Sequence, residues 1–393
     1  MNESVGGGDR LAGMDFVAHN AEVRQLWADF AAGTPRRVPI VLGAGPRFFI
    51  RERGANPAGI GFRAYTEDPD LMFDMQLAFQ RWTRSNLLQD AELGAPERWQ
   101  IHVDFQNYYE AAWLGCEVEY FAGEVPDTRP AFADQPERLL EGGLPEPFGG
   151  LMGRGLEYYE RFAERAARET YLGRPIEVMP PWFGLGSDGP MTVSCSLFSP
   201  DFVCAAMASE PERLQRLLEF VTEATIRRMD AWRRRFCIPV PQDGFGMADD
   251  SIALISTRMY REHILPHHRR IYDHFGTSAP RSIHLCGNAT RHFPTIRDEL
   301  NIWCFDTGFP VDFGQLRREL GPKVRINGGP HVALLQTATP DGVRAEVRRI
   351  LGSGVLEGRQ FVLREGNNLA PGTRVENTEA MYRAGRDLGV YAD

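Results

Sequence analysis

The chain has 393 residues, with 44 basic against 53 acidic side chains and a formal net charge of -9. That length supports one large core or two domains, and the acidic balance excludes a domain-wide basic face, so nucleic acid is not an expected partner. Six scattered cysteines (Cys116, Cys195, Cys204, Cys237, Cys286, Cys304) without a CxxC fit reduced thiols. There is no hydrophobic signal core near Met1 and no apolar run of membrane-spanning length, so a cytoplasmic protein is expected.

Residues 1–19 are polar and glycine-rich at their start and are expected to be flexible, with 20–393 forming a single domain. Val23, Leu26, Trp27 and Phe30 fall at helical spacing and predict a helical extension over 20–32. Val38–Leu42 is a short apolar run closed by Gly43, the signature of a buried strand. Leu71, Met72, Met75, Phe79 and Trp82 predict the next helix. Seven further strands are expected at Ile101–Phe105, Ile176–Pro180, Ile238–Gln242, Ser282–Cys286, Ile302–Asp306, Val324–Asn327 and Phe361–Arg364, most of them separated by helical patterns. Eight short buried strands alternating with helices predict an α/β fold, a (β/α)8 TIM barrel. An open doubly wound sheet is the alternative, but no GxGxxG follows the first strand. The irregular stretch 106–150 is expected to be an insertion folded onto the barrel, with an extra strand near Gly115–Tyr120.

In a parallel barrel the site gathers at the C-terminal ends of the strands. Those ends carry Asp104, Asp249, Asp250 and His331 as candidate catalytic groups. Arg47, Trp182, Asn327, Glu365, Asn367 and Asn368 are the candidate substrate-binding groups. Asp306 reads as a further strand-end acid or as a helix cap. The densest signal is Ser282-Ile-His284-Leu-Cys286-Gly287. Strand periodicity is two, so His284 and Cys286 project from one face, where they can hold a soft metal or act as a reactive pair. His263, His267 and His268 include an i, i+4 pair, but Pro266 interrupts the segment and the helix reads as packed or solvated.

The run His284-Leu-Cys286-Gly287-Asn288-Ala-Thr290 resembles a His-x-Cys-Gly-Asn-x-Thr segment of the uroporphyrinogen decarboxylase superfamily. Asp249-Asp250-Ser251, Met259-Tyr260-Arg261-Glu262, Ala111-Ala112-Trp113-Leu114-Gly115-Cys116 and Gly328-Gly329-Pro330 are similar to other segments of that superfamily. The superfamily also includes zinc-dependent methyltransferases that exchange methyl groups between corrinoid proteins and thiols. The resemblance therefore implies a barrel, zinc on His284 and Cys286, a corrinoid carried by a separate protein, a small-molecule substrate and a homodimer. Two departures limit it. Gly43-Ala44-Gly45-Pro46-Arg47 stands where the decarboxylases carry Arg-Gln-Ala-Gly-Arg, which argues against uroporphyrinogen as substrate. Gly366-Asn367-Asn368 stands where the methyltransferases carry a Gly-Cys-Gly zinc ligand, so a third ligand has to come from Glu365, Asp249, Asp250 or an asparagine. The first functional expectation is metal-assisted methyl transfer to a thiol-type acceptor. The second is a metal-free decarboxylase, a lyase holding a small carboxylated substrate on its arginines, with Asp104, His284 or His331 as proton donor.

Overall fold

The computed structural model describes residues 9–122 and 124–391. Seven strands run parallel: β1 Trp99–Ile101, β2 Arg174–Val178, β3 Gly246–Ala248, β4 Arg281–Leu285, β5 Ile302–Thr307, β6 Arg325–Gly328 and β7 Phe361–Leu363. Strands β3 to β7 form one continuous sheet in sequence order, and Ile40 adds an eighth parallel segment by bridging to Leu363. Strands β1 and β2 form a second arc. Between the arcs, loop residues outside the strands hydrogen-bond to the first arc at two places. At one, Asp90 N–H donates to Ile40 O (2.6 Å) and Ile40 N–H to Asp90 Oδ2 (2.7 Å). At the other, Ala248 N–H donates to Ser187 O (3.0 Å). This is the order of a (β/α)8 barrel with helices packed outside.

The expected fourth strand is displaced. Ile238–Gln242 is mostly exposed loop, and the strand forms at Gly246–Ala248. Pro239 and Pro241 carry no N–H, so that run cannot donate a ladder. The chain start also differs from expectation. Residues 1–8 lie outside the described residues, and the first helix already begins at Phe16, where Asp15 accepts from Val17 N–H and Ala18 N–H as N-cap. Within 106–150 the chain forms the short helix Tyr109–Trp113, the hairpin Glu117–Glu119 with Asp127–Arg129, and the turn of helix Arg138–Glu141.

Alternation along the strands sorts the two faces. Met247, Ile283, Phe305 and Ile326 are buried against the helices. Phe305 stacks on Phe293 of the helix Phe293–Leu300, centroids 4.5 Å apart. The opposite face of the same strands carries Ala248, His284, Asp306 and Asn327 in register, and that face builds the site.

Candidate active site

His284 is the fourth residue of β4, and Cys286 lies just past its end. The two-residue period brings them together: Nε2 of His284 is 2.8 Å from Sγ of Cys286. The ring's other nitrogen, Nδ1, lies 2.6 Å from Asp306 Oδ2, on the neighbouring strand at the same register. A carboxylate can only accept, so Nδ1 carries the hydrogen and Nε2 faces the cavity. Burial favours the neutral ring, yet the hydrogen bond and charge of Asp306 outweigh it and raise the His284 pKa. Burial and the neighbouring Asp250 carboxylate push the Cys286 thiol well above its ordinary value. The cysteine is therefore held as a thiol unless a cation draws off its proton.

Cys286 is fixed by its backbone. Its N–H donates to Asp250 Oδ1 (2.7 Å), and its carbonyl accepts from Phe309 N–H (3.0 Å). Gly308 passes so close that a Cβ there would lie 1.4 Å from the Cys286 carbonyl oxygen, which only glycine avoids. His284, Cys286 and Asp250 each direct a ligand atom to one place, all within 4.8 Å of one another.

These groups sit in a cavity of about 480 Å³ at the C-terminal ends of the strands. Arg47, Asp104, Trp182, Asn367 and Asn368 also line it, as expected from sequence. Asp104 is buried and already engaged, accepting from Gln106 N–H (2.9 Å), Gln106 Nε2 (2.5 Å) and Tyr65 OH (3.2 Å). Arg47 donates to Gln106 Oε1 (3.1 Å) and forms no ion pair among the described residues.

Four candidates lie elsewhere. Asp249 is fully buried, and its carboxylate accepts from Met191 N–H, Thr192 N–H, Thr192 Oγ1 and His268 Nε2. Both oxygens point away from the cavity to hold the helix Pro190–Phe198. The i, i+4 histidines are packed likewise: His268 also meets Tyr260 OH, and His267 meets Thr222 and Gln215. His331 caps Val332–Thr337 through Ala333 N–H and stacks on Phe309. Asn327 points into a separate cavity below the site. Glu365 is buried behind Gly43, whose N–H it accepts (2.7 Å), and burial pushes its pKa up to about 7.

Other lining residues were not singled out as site groups from sequence. Arg364 donates to Asp306 Oδ2 (3.0 Å) and to Asn367 O (3.0 Å). Its guanidinium thus lies behind His284, against the backbone of Asn367. Asp306, one of the two readings of which was a cap, serves His284 instead. His102 precedes Asp104 by two just past the end of β1, and burial lowers its pKa. Asp188 lines the cavity too, and burial, then Glu110 and Asp250, hold its carboxyl well above the usual range. Its loop is anchored by the buried Arg228–Glu110 pair (2.5 Å), with Glu110 accepting from Asp188 N–H (2.7 Å). The period-two spacing to Asp104 was a usable signal for His102. Asp188, in a Ser-Asp-Gly-Pro turn, carried none.

Comparison with known proteins agrees with the fold. A methylated-thiol–coenzyme M methyltransferase of Methanosarcina mazei is 26% identical over 302 residues, 73% of this chain and 72% of that protein. A uroporphyrinogen decarboxylase of Pelobacter propionicus is 26% identical over 221 residues, 54% of this chain and 62% of that protein. Among solved structures, a methyltransferase from Methanosarcina mazei superposes with a TM-score of 0.59 at 18% identity, covering 93% of this chain and 98% of that one. The sequence profile described as uroporphyrinogen decarboxylase (URO-D) matches residues 25–388, and the chain belongs to that family.

Proposed function

We propose that this protein is a methyltransferase whose centre is a divalent metal, zinc by its donor set, held by His284, Cys286 and Asp250. The observation that carries the reading is the convergence of imidazole nitrogen, thiol sulfur and carboxylate oxygen within 4.8 Å at the floor of the cavity. Imidazole, thiolate and carboxylate with one open position suit a catalytic zinc. The Asp306–His284 hydrogen bond is the outer-shell contact that such a ligand needs. Zinc so held would lower the pKa of a bound thiol and present it as an anionic nucleophile.

The chain's own residues do the rest. Asp306 fixes the ring so that Nε2 faces the cavity. Gly308 and the Asp250 contact fix the position of Sγ. Arg47, with no ion pair among the described residues, binds an anionic end of the substrate, and Trp182 supplies an apolar wall. The methyl donor is a corrinoid protein docking at the cavity mouth or a methylated small molecule, and the acceptor is a thiol. Among the described residues no single helix is long and apolar enough to cross a membrane.

Metal analysis of the purified protein tests the reading. The expected result is about one zinc per chain, lost in Cys286→Ser together with methyl transfer to thiols. A metal-free wild type with full activity overturns it. That outcome would favour the second reading, in which Arg47 holds a carboxylate that leaves as carbon dioxide.

A further inference from the structure

We infer that the barrel axis is a water-filled bore, which gives the active site a second, narrow entrance on the face opposite the substrate cavity. The interior of such a barrel is normally packed with layers of bulky branched side chains. Here the strand register stacks two layers of a different kind. The lower layer pairs Gly246, Ser282, Cys304 and Arg325 across β3 to β6, and the upper pairs Ala248, His284, Asp306 and Asn327. Most are small or polar, and every one is only partly buried. The alternating residues on the helix side are fully apolar and buried.

The space these layers leave is continuous along the axis. A cavity of about 420 Å³ is lined by Gly246, Ser282, Cys304 and Asn327, and it reaches His284 and Asp306, which also line the substrate cavity. A third cavity of about 470 Å³ shares Ser282 and Cys304 and opens past Lys323 and Gln360, which precede the starts of β6 and β7. Two sheltered acceptors along this path, Asp306 Oδ1 and Asn327 Oδ1, have no hydrogen-bond partner. A dry carboxylate oxygen is costly, and a polar cavity of this size holds water that satisfies it. The bore therefore keeps water and very small solutes in exchange with the His284–Asp306 pair from below. That exchange continues when a substrate or partner closes the upper mouth.

Cys304, midway along the bore, reports on it directly. The intact protein is treated with methyl methanethiosulfonate, a small neutral thiol reagent, and modification is mapped by peptide mass spectrometry. Exposed Cys237 serves as the internal reference. Two plugs are placed at the lower mouth, Gln360→Trp and, at an exposed position that tolerates bulk, Lys323→Trp; circular dichroism confirms the fold of each. Cys304 is expected to react in the wild type and to slow by about tenfold or more in a folded plug variant, with Cys237 unchanged. A Cys304 that stays unmodified in the wild type, or reacts undiminished in both plug variants, overturns the inference.

Discussion

Asp249 and Asp250 are neighbours in sequence with opposite surroundings, and replacing each in turn separates a structural carboxylate from the proposed ligand. Asp249 has no exposed surface and accepts four hydrogen bonds, from Met191 N–H (3.0 Å), Thr192 N–H (2.8 Å), Thr192 Oγ1 (2.7 Å) and His268 Nε2 (2.8 Å). Hydrogen bonds to a charged group contribute about 1.5–3 kcal/mol each, so a naive sum would approach the entire stability of a domain. The four share one carboxylate and are not independent, and breaking a buried ionic cluster from one side costs about 3–5 kcal/mol. Asp249→Ala is expected to lose that much. With a urea slope near 3 kcal/mol per molar, the midpoint falls by about 1–1.7 M. Asp249→Asn fares little better, because its amide would set a donor against either the Met191 N–H or the Thr192 N–H. Asp250 is partly exposed and accepts one backbone N–H, that of Cys286. Asp250→Ala removes one such bond at a partly exposed site and is expected to lose about 1.5 kcal/mol, the low end of that range, while losing the metal. Urea unfolding followed by circular dichroism, with zinc measured on the same samples, decides. Asp249→Ala with a wild-type midpoint and no zinc would refute the assignment of both residues.

Glu365 supplies a pH dependence. Its folded pKa is raised by burial to about 7 from an ordinary 4.5, so the folded chain binds the extra proton between those values. Stability from this group is complete below about pH 4.5 and is lost as pH rises through about 7, by about 3 kcal/mol in all. Glu365→Gln is therefore expected to stabilise the protein at pH 8 and to be near neutral at pH 4.5 in thermal unfolding. Glu110→Ala would strand Arg228 in a fully buried position and is expected to cost about 3–5 kcal/mol, whereas Glu110→Leu with Arg228→Met should recover much of it. Gly308→Ala would drive a methyl group into the Cys286 carbonyl, and zinc affinity measured by chelator competition is expected to drop. Asp306→Ala should weaken zinc by about 10–100-fold, since it removes the partner that orients His284 and leaves Arg364 without its carboxylate there.

The barrel was legible because its strands are short apolar runs at regular intervals, a pattern set by burial and not by any single contact. The failure at Ile238–Gln242 shows the limit of that logic. Hydrophobicity marked the run, but two prolines removed the donors that a ladder requires, and the strand starts eight residues later, where Gly246 can approach Ser282 closely. His284 and Cys286 were readable as a pair since strand geometry alone dictates that residues two apart share a face.

The third ligand position was not readable, for a geometric reason. Asp249 and Asp250 both end the same strand, and a one-residue step there turns a side chain from the cavity to the helix layer. Which of the two turns inward depends on the neighbours that claim Asp249, namely two amides at the start of Pro190–Phe198 and a histidine nineteen residues downstream. No local pattern encodes those partners. The same holds for Gly366-Asn367-Asn368. From sequence the segment lacks a cysteine, but in space Arg364 lies behind His284 and pairs with Asp306, and Asp250 brings a carboxylate near His284 and Cys286. Asn367 itself is held by the arginine three residues earlier, which donates to its carbonyl. A centre built from His284, Cys286 and Asp250 carries one thiolate where the methyltransferase pattern implies two. Such a centre would be harder, and it would hold a metal less tightly against soft thiol competitors.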